Sequence, residues 1–308
     1  MIFFLLIATI SLILGGADNA LAWGPGVHLA LGNHVLAGGA QILPAVADLI
    51  ARHPNMFLYG CLSADIFIGK GSSFTPTHSH NWAVGTRLLR SVRDDNLKSY
   101  AYGYLTHLAA DTVAHNYYVP NAMGLAGNGS KLMHTYVEMQ ADRRVAWSRK
   151  QTRHMFKWRG ASRAADTSLL ETMDRRRTPF NIKKQLFRGS LFLLQQKKFQ
   201  DSLGLVERNL TNADREDDLD RMLTLSLRAV IDFLSRPESS PVLHLDPIGS
   251  TNLTRVKHLH RSKRLQRRHR EGKTIFPPDP RLNRLATAGE PFPLSLRRES
   301  VMQEAASF

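Results

Sequence analysis

The chain has 308 residues, 43% of them hydrophobic, and a formal charge of +15 from 41 Lys and Arg against 26 Asp and Glu. That length and apolar content suit one large or two ordinary packed domains and exclude a chain disordered throughout. The single cysteine, Cys61, excludes an intramolecular disulfide and a cysteine-rich structural zinc module.

Residues 2–16 form an apolar run too short for a comfortable membrane span, and Ala20-Leu21-Ala22 supplies a small-x-small cleavage pattern. Residues 1–22 are therefore expected to be an export signal, with an uncleaved anchor as the alternative because no basic side chain precedes the run. Beyond it, apolar residues recur at three- and four-residue intervals over 27–36, 41–51, 83–92, 97–117 and 131–147, and again over 181–197 and 214–234. Gly, Pro and Asn clusters separate these segments, and no run alternates as a strand would. The pattern predicts an all-α, multi-helix domain over residues 23–240.

After residue 240 the composition shifts. Residues 255–270 are dense in Arg, Lys and His, and the prolines between 276 and 293 interrupt any helix. Residues 241–308 are expected to be a mostly disordered basic tail, so that removing 251–308 would leave the folded body intact. The charge attracts polyanions, either an anionic membrane surface or nucleic acid, or simply keeps the tail solvated. Gly127-Asn128-Gly129 lacks the basic and hydroxyl residues of a phosphate-binding loop, and no Gly-x-Ser-x-Gly elbow is present.

The segment with the most chemistry is 103–115, where His107, Asp111 and His115 stand four apart and share one side of a helix. His134 and Glu138 repeat the spacing nearby. From 13 His and 26 acidic residues about one His-x-x-x-acid pair is expected by chance, but only about 0.05 of the His-x-x-x-acid-x-x-x-His triple. Mixed imidazole and carboxylate ligands suit zinc. Taken singly, each candidate also has an ordinary role, as a cap, a surface ring or a flanking aromatic.

In order along the chain, these residues resemble the bacterial zinc-dependent phospholipases C, which share an all-helical fold with the fungal single-strand-specific zinc nucleases. The resemblance runs from Trp23, after the expected cleavage site, through His28, Asp65 in Ser63-Ala-Asp65, and His78 or His80 before Trp82. It continues through His107, Asp111 and His115 to His134 and Glu138. It implies three zinc ions. One would be held by Asp65, His80 (or His78), His107 and Asp111, a second by His115, His134 and Glu138, and a third by His28, a bridging Asp111 and the free amine and carbonyl of Trp23. Asp111 and His115 stand closer together than in the characterised enzymes, and no Pro lies between them.

The resemblance further implies hydrolysis of a phosphodiester by metal-activated water, with Asp65 as the candidate general base. Glu138 and the lack of disulfides favour a phospholipid substrate. The basicity and the short interval from Trp23 to His28 keep a single-strand nuclease as the alternative. A zinc-stabilised membrane-binding protein without turnover is a third reading. His34, His53, His258, His260 and His269 match no position of the family.

Overall fold

The computed structural model describes residues 23–38, 42–67, 78–125, 139–157, 159–175, 177–194, 196, 214–259 and 274–285. The expected export signal over 1–22, and His134 with Glu138, lie outside them.

Proline sets the start of the first three helices. α1 (Pro25–Leu36), α2 (Pro44–Arg52) and α3 (Pro54–Ile66) each begin on Pro, whose fixed φ suits a first helical position and whose missing N–H would have had no helical partner there. Side chains cap the next two. Asn81 accepts from the Ala83 amide ahead of α4 (Trp82–Ser91), and Asp94 accepts from the Leu97 amide ahead of α5 (Asp95–Val113). A π-helical turn (Ala114–Tyr118) and α6 (Val119–Leu125) follow without a break. α7 (Arg149–Lys157), α8 (Arg159–Thr172), α9 (Arg177–Leu194) and α10 (Asp214–Ser235) complete the main set. No strand occurs among the described residues, so the all-α expectation holds.

The centre of the packing is the pair α3 and α5, with α10 and α1 laid against it. Two glycines allow this approach. A Cβ at Gly103 would stand 1.9 Å from the Phe57 carbonyl oxygen, and one at Gly60 would stand 2.1 Å from that of Tyr100. The backbones therefore touch where any side chain would hold them apart. Around the contact Tyr59, Tyr100, Tyr104 and Phe57 are almost completely buried. The Tyr59 hydroxyl donates to Asp166 on α8 at 2.6 Å, and Lys184 on α9 pairs with the other oxygen of that carboxylate at 2.6 Å.

Helix α3 carries Asp65, yet periodicity missed it. Every residue from Met56 to Ile66 is buried, so the helix has no polar face and shows no stripe. The expected helix over 97–117 is instead two consecutive segments, α5 and the π turn, and α6 continues beyond it. Of the expected helix over 131–147, residues 139–144 are described and helical.

The expectation of a disordered tail from residue 241 is corrected for its described parts. A 3-10 turn (Pro241–His244), α11 (Ser250–Leu259) and a second 3-10 turn (Pro280–Arg284) pack on the body, burying Val242, Leu253, Val256, Phe276, Leu282 and Leu285. Asn121 of α6 fastens residues 275–276, accepting from both amides and donating to the Phe276 carbonyl. The prolines break the helix but do not release the chain, because apolar residues between them still find the core.

Candidate metal centre

The close contact of α3 and α5 brings Asp65, from the last turn of α3, opposite His107 and Asp111 on α5. His28 enters from the first turn of α1, and its ring stacks on that of His107 at 3.7 Å between centroids. His80 comes from the stretch just before α4. The start of α4 is anchored by Trp82, whose indole N–H donates to the Leu245 carbonyl at 2.9 Å. All five side chains are buried.

Asp111 lies at the middle of the cluster. Its Oδ1 is 3.2 Å from His28 Nε2, while its Oδ2 is 3.2 Å from His80 Nε2, 3.2 Å from His107 Nε2 and 3.8 Å from His115 Nε2. One carboxylate thus faces two separate sets of imidazoles. Asp65 Oδ1 lies 3.3 Å from His80 Nε2 and 3.7 Å from His107 Nε2. Among the described residues, two groups have ligand atoms close enough for one ion: His28, His107 and Asp111, and Asp65, His80 and His107, with every atom in a group within 4.8 Å of the others.

The orientation of the rings is set from behind. His107 Nδ1 is 2.8 Å from the Cys61 carbonyl oxygen, which can only accept, so Nδ1 carries the hydrogen and Nε2 presents its lone pair inward. His80 Nδ1 is 3.0 Å from Ser79 Oγ, and the Ser79 carbonyl accepts from the Tyr104 hydroxyl. The two inward nitrogens, His80 Nε2 and His107 Nε2, are only 3.0 Å apart. Two imidazole lone pairs at that distance repel unless a proton or a cation lies between them. Three imidazoles and two carboxylates, with no thiolate, form a donor set that fits zinc.

Electrostatics prepares the same set. Burial, and then the neighbouring His107, push His28 below the ordinary imidazole value, so its ring is neutral and able to ligate. Burial opposes ionisation of Asp111, but His107 and the hydrogen bonds from His107, His28 and His80 outweigh it and hold the carboxyl well below the usual carboxylate range. Burial pushes the Cys61 thiol far above its ordinary value, so its carbonyl and not its sulfur serves the site.

The π-helical turn answers the short spacing of Asp111 and His115. Widening the helix by one residue changes the direction of His115 without a proline, and π turns recur where function needs such a change. It leaves backbone groups out of the regular ladder, and asparagines take them up. Asn116 Nδ2 donates to the Thr112 and Asp246 carbonyls at 2.8 and 2.7 Å, and Asn252 Nδ2 donates to the Asn116 carbonyl at 2.7 Å. Gly249 packs directly on His115, at a positive φ of 60°, where a Cβ would lie 2.1 Å from the His115 carbonyl oxygen.

Of the two histidines before α4, His80 joins the cluster; His78 is buried but belongs to neither metal-competent group of described residues. Trp23 is buried with its indole stacked on Tyr118 at 4.8 Å and donating to Ser226 Oγ at 2.9 Å, which fixes the chain just ahead of α1. Asp142 then holds the start of α1, accepting from the Val27 amide at 2.9 Å, with Gly24 and Gly26 leaving room for its carboxylate. Sequence reasoning missed Asp142, Ser79, the Cys61 carbonyl and Gly249. Only Asp142, four residues after Glu138, extends a visible acidic spacing; the others act through backbone or through contacts distant in sequence.

Residues 27–184, just over half of the chain, match the family described as zinc dependent phospholipase C. The matched span takes in His28, Asp65, His78, His80, His107, Asp111, His115, His134 and Glu138. No curated protein and no solved structure matches the chain at a significant level.

Proposed function

This chain belongs to the zinc-dependent phospholipase C family, and we propose that it is an exported hydrolase releasing diacylglycerol and a phosphorylated head group from phospholipid. The observation that carries the reading is the division of the Asp111 carboxylate, with one oxygen toward His28 and the other toward His80 and His107. A carboxylate so placed is suited to bridge two cations.

Three zinc ions are proposed. Asp65, His80, His107 and Asp111 would hold the first; His115, His134 and Glu138 the second; and His28, Asp111 and the amine and carbonyl of Trp23 the third. The last set requires export and removal of residues 1–22, since a peptide-bonded nitrogen is no longer an amine ligand. Bound zinc would supply Lewis acidity, lowering the pKa of a bound water toward ~7 and neutralising charge on the phosphodiester.

The remaining steps belong to side chains. Asp65 presents its carboxylate beside His80 and His107, where it accepts a proton from the attacking water and fixes that water's direction. Ser79 and the Cys61 carbonyl keep the two rings aligned while this happens. The surrounding burial limits bulk water to the site. The Cys61 thiol, held protonated, takes no part as a nucleophile.

Parallel assays with matched zinc test the reading, one with phosphatidylcholine and one with single-stranded DNA. Diacylglycerol and phosphocholine should appear with little nucleotide, and Asp65→Asn should lower the rate by at least about 100-fold. Faster release of nucleotides, lost in the same variant, would replace the substrate with nucleic acid. Zinc binding without turnover of either would point to a non-catalytic membrane-binding protein.

A further inference from the structure

Four large apolar side chains stand well out into solvent among the described residues, and three of them, Ile182, Leu186 and Phe192, lie on α9. They share one helix with Phe180, Phe187, Leu191 and Leu194, which face the core, so α9 is apolar on both its inner and its outer side. Ile182 and Leu186 are one turn apart and 61% and 41% exposed, and Phe192 is 45% exposed with the Arg153 guanidinium 5.7 Å from its ring centroid. Water is a poor partner for such a face.

The charged residues of α9 itself all have one sign. Residues 177–194 contain Arg177, Lys183, Lys184 and Arg188 and no acidic residue. Between α8 and α9 opens a cavity of about 610 Å³ whose lining includes Ser162, Arg163, Asn181, Lys184 and Arg188. Its one carboxylate, Asp166, is already held by Lys184 and Tyr59 at 2.6 Å each, so the cavity keeps an excess of positive charge.

We propose that the exposed face of α9, with the adjoining cationic cavity, docks the protein on an anionic phospholipid surface. Ile182, Leu186 and Phe192 enter the boundary between head groups and acyl chains, while Lys183, Arg163 and Arg188 meet phosphates. Charge selects this occupant over a second copy of the chain, because two such faces brought together would oppose like charges. The attachment lies on the surface: no helix among the described residues is long and apolar enough to cross a membrane. The inference rests on phospholipid being the substrate, and it supplies what that substrate demands, a means of holding a basic enzyme at an interface.

The test compares the zinc-loaded wild type with two variants, Ile182→Ser/Leu186→Ser/Phe192→Ser and Lys183→Glu/Arg188→Glu. Each is measured by sedimentation with phosphatidylcholine vesicles, with and without phosphatidylglycerol, and by turnover of a monomeric short-chain phospholipid. The wild type should prefer vesicles containing phosphatidylglycerol, more so in low salt. The apolar variant should bind them at least about tenfold more weakly at all salt concentrations, and the charge variant at least about tenfold more weakly in low salt. Monomer turnover should be unchanged in both. Vesicle binding equal to wild type in both variants would overturn the docking face while leaving the phospholipase reading intact. Loss of a wild-type dimer in the apolar variant, with vesicle binding unchanged, would assign the face to self-association instead. Absence of monomer turnover in all three proteins, with the predicted binding differences, would reject the phospholipase reading and leave the docking face standing.

Discussion

Asp111 lies at the middle of the cluster, its Oδ1 3.2 Å from His28 Nε2 and its Oδ2 3.2 Å from both His80 Nε2 and His107 Nε2. Asparagine keeps the shape but turns one oxygen into an N–H group, which cannot ligate and would face a nitrogen lone pair. Asp111→Asn should therefore reduce zinc affinity by more than the ~10–100-fold typical of residues that only support ligands. Metal analysis of the purified variant, and its melting temperature with and without chelator, check this. The same cluster sets the response of the metal-free protein to acid. The folded-state values of His28 and Asp111 both lie below their ordinary 6.5 and 3.8, so on acidification the unfolded chain takes up each proton first. Stability should fall below about pH 6.5 through His28 and again below about pH 3.8 through Asp111, as seen in denaturant midpoints of chelated protein. Spacing in the sequence was enough to nominate His107, Asp111 and His115. It could not separate His78 from His80, because that choice turns on the Ser79 hydroxyl and the Tyr104 contact behind it.

Between elements, the decisive contact is backbone against backbone at Gly60 and Gly103. Asp65 reaches His80 and His107 only because α3 lies this close to α5. Gly103→Ala should destabilise the protein by an amount at the upper end of the ~1–3 kcal/mol typical of overpacking, since the obstacle is a carbonyl that no rotamer can move aside. It should also lower zinc affinity, which a surface Gly→Ala change such as Gly160→Ala, with nothing within 4 Å of the new Cβ, should not. Urea midpoints and zinc titration of the two variants make the comparison. The amphipathic helices were legible from their stripes, and α10 agrees with its expected bounds to one residue at its end. Helix α3 was not, because burial on every side erases the periodic signal. The π turn was invisible for another reason: the bonds that stabilise it come from Asn116 and from Asn252, far along the chain.

At the scale of the molecule, the last described segments decide where the body ends. Composition placed the boundary at residue 240 because basic and proline-rich sequence resembles a tail, and composition does not register apolar residues spaced singly among charges. Six of these, Val242, Leu253, Val256, Phe276, Leu282 and Leu285, are buried. At ~1.5–3 kcal/mol for each buried side chain, their sum is comparable with the whole ~5–15 kcal/mol of a folded domain's stability. The segment also touches the centre, through Leu245 on Trp82, Gly249 on His115 and Asn252 on the π turn. Truncation after Ser240 should therefore abolish cooperative unfolding and stoichiometric zinc binding together. Truncation after Leu285 removes none of these contacts and should preserve both. Circular-dichroism melts with zinc analysis of the two proteins provide the measurement. Zinc binding and a cooperative melt in the shorter one would return the boundary to residue 240.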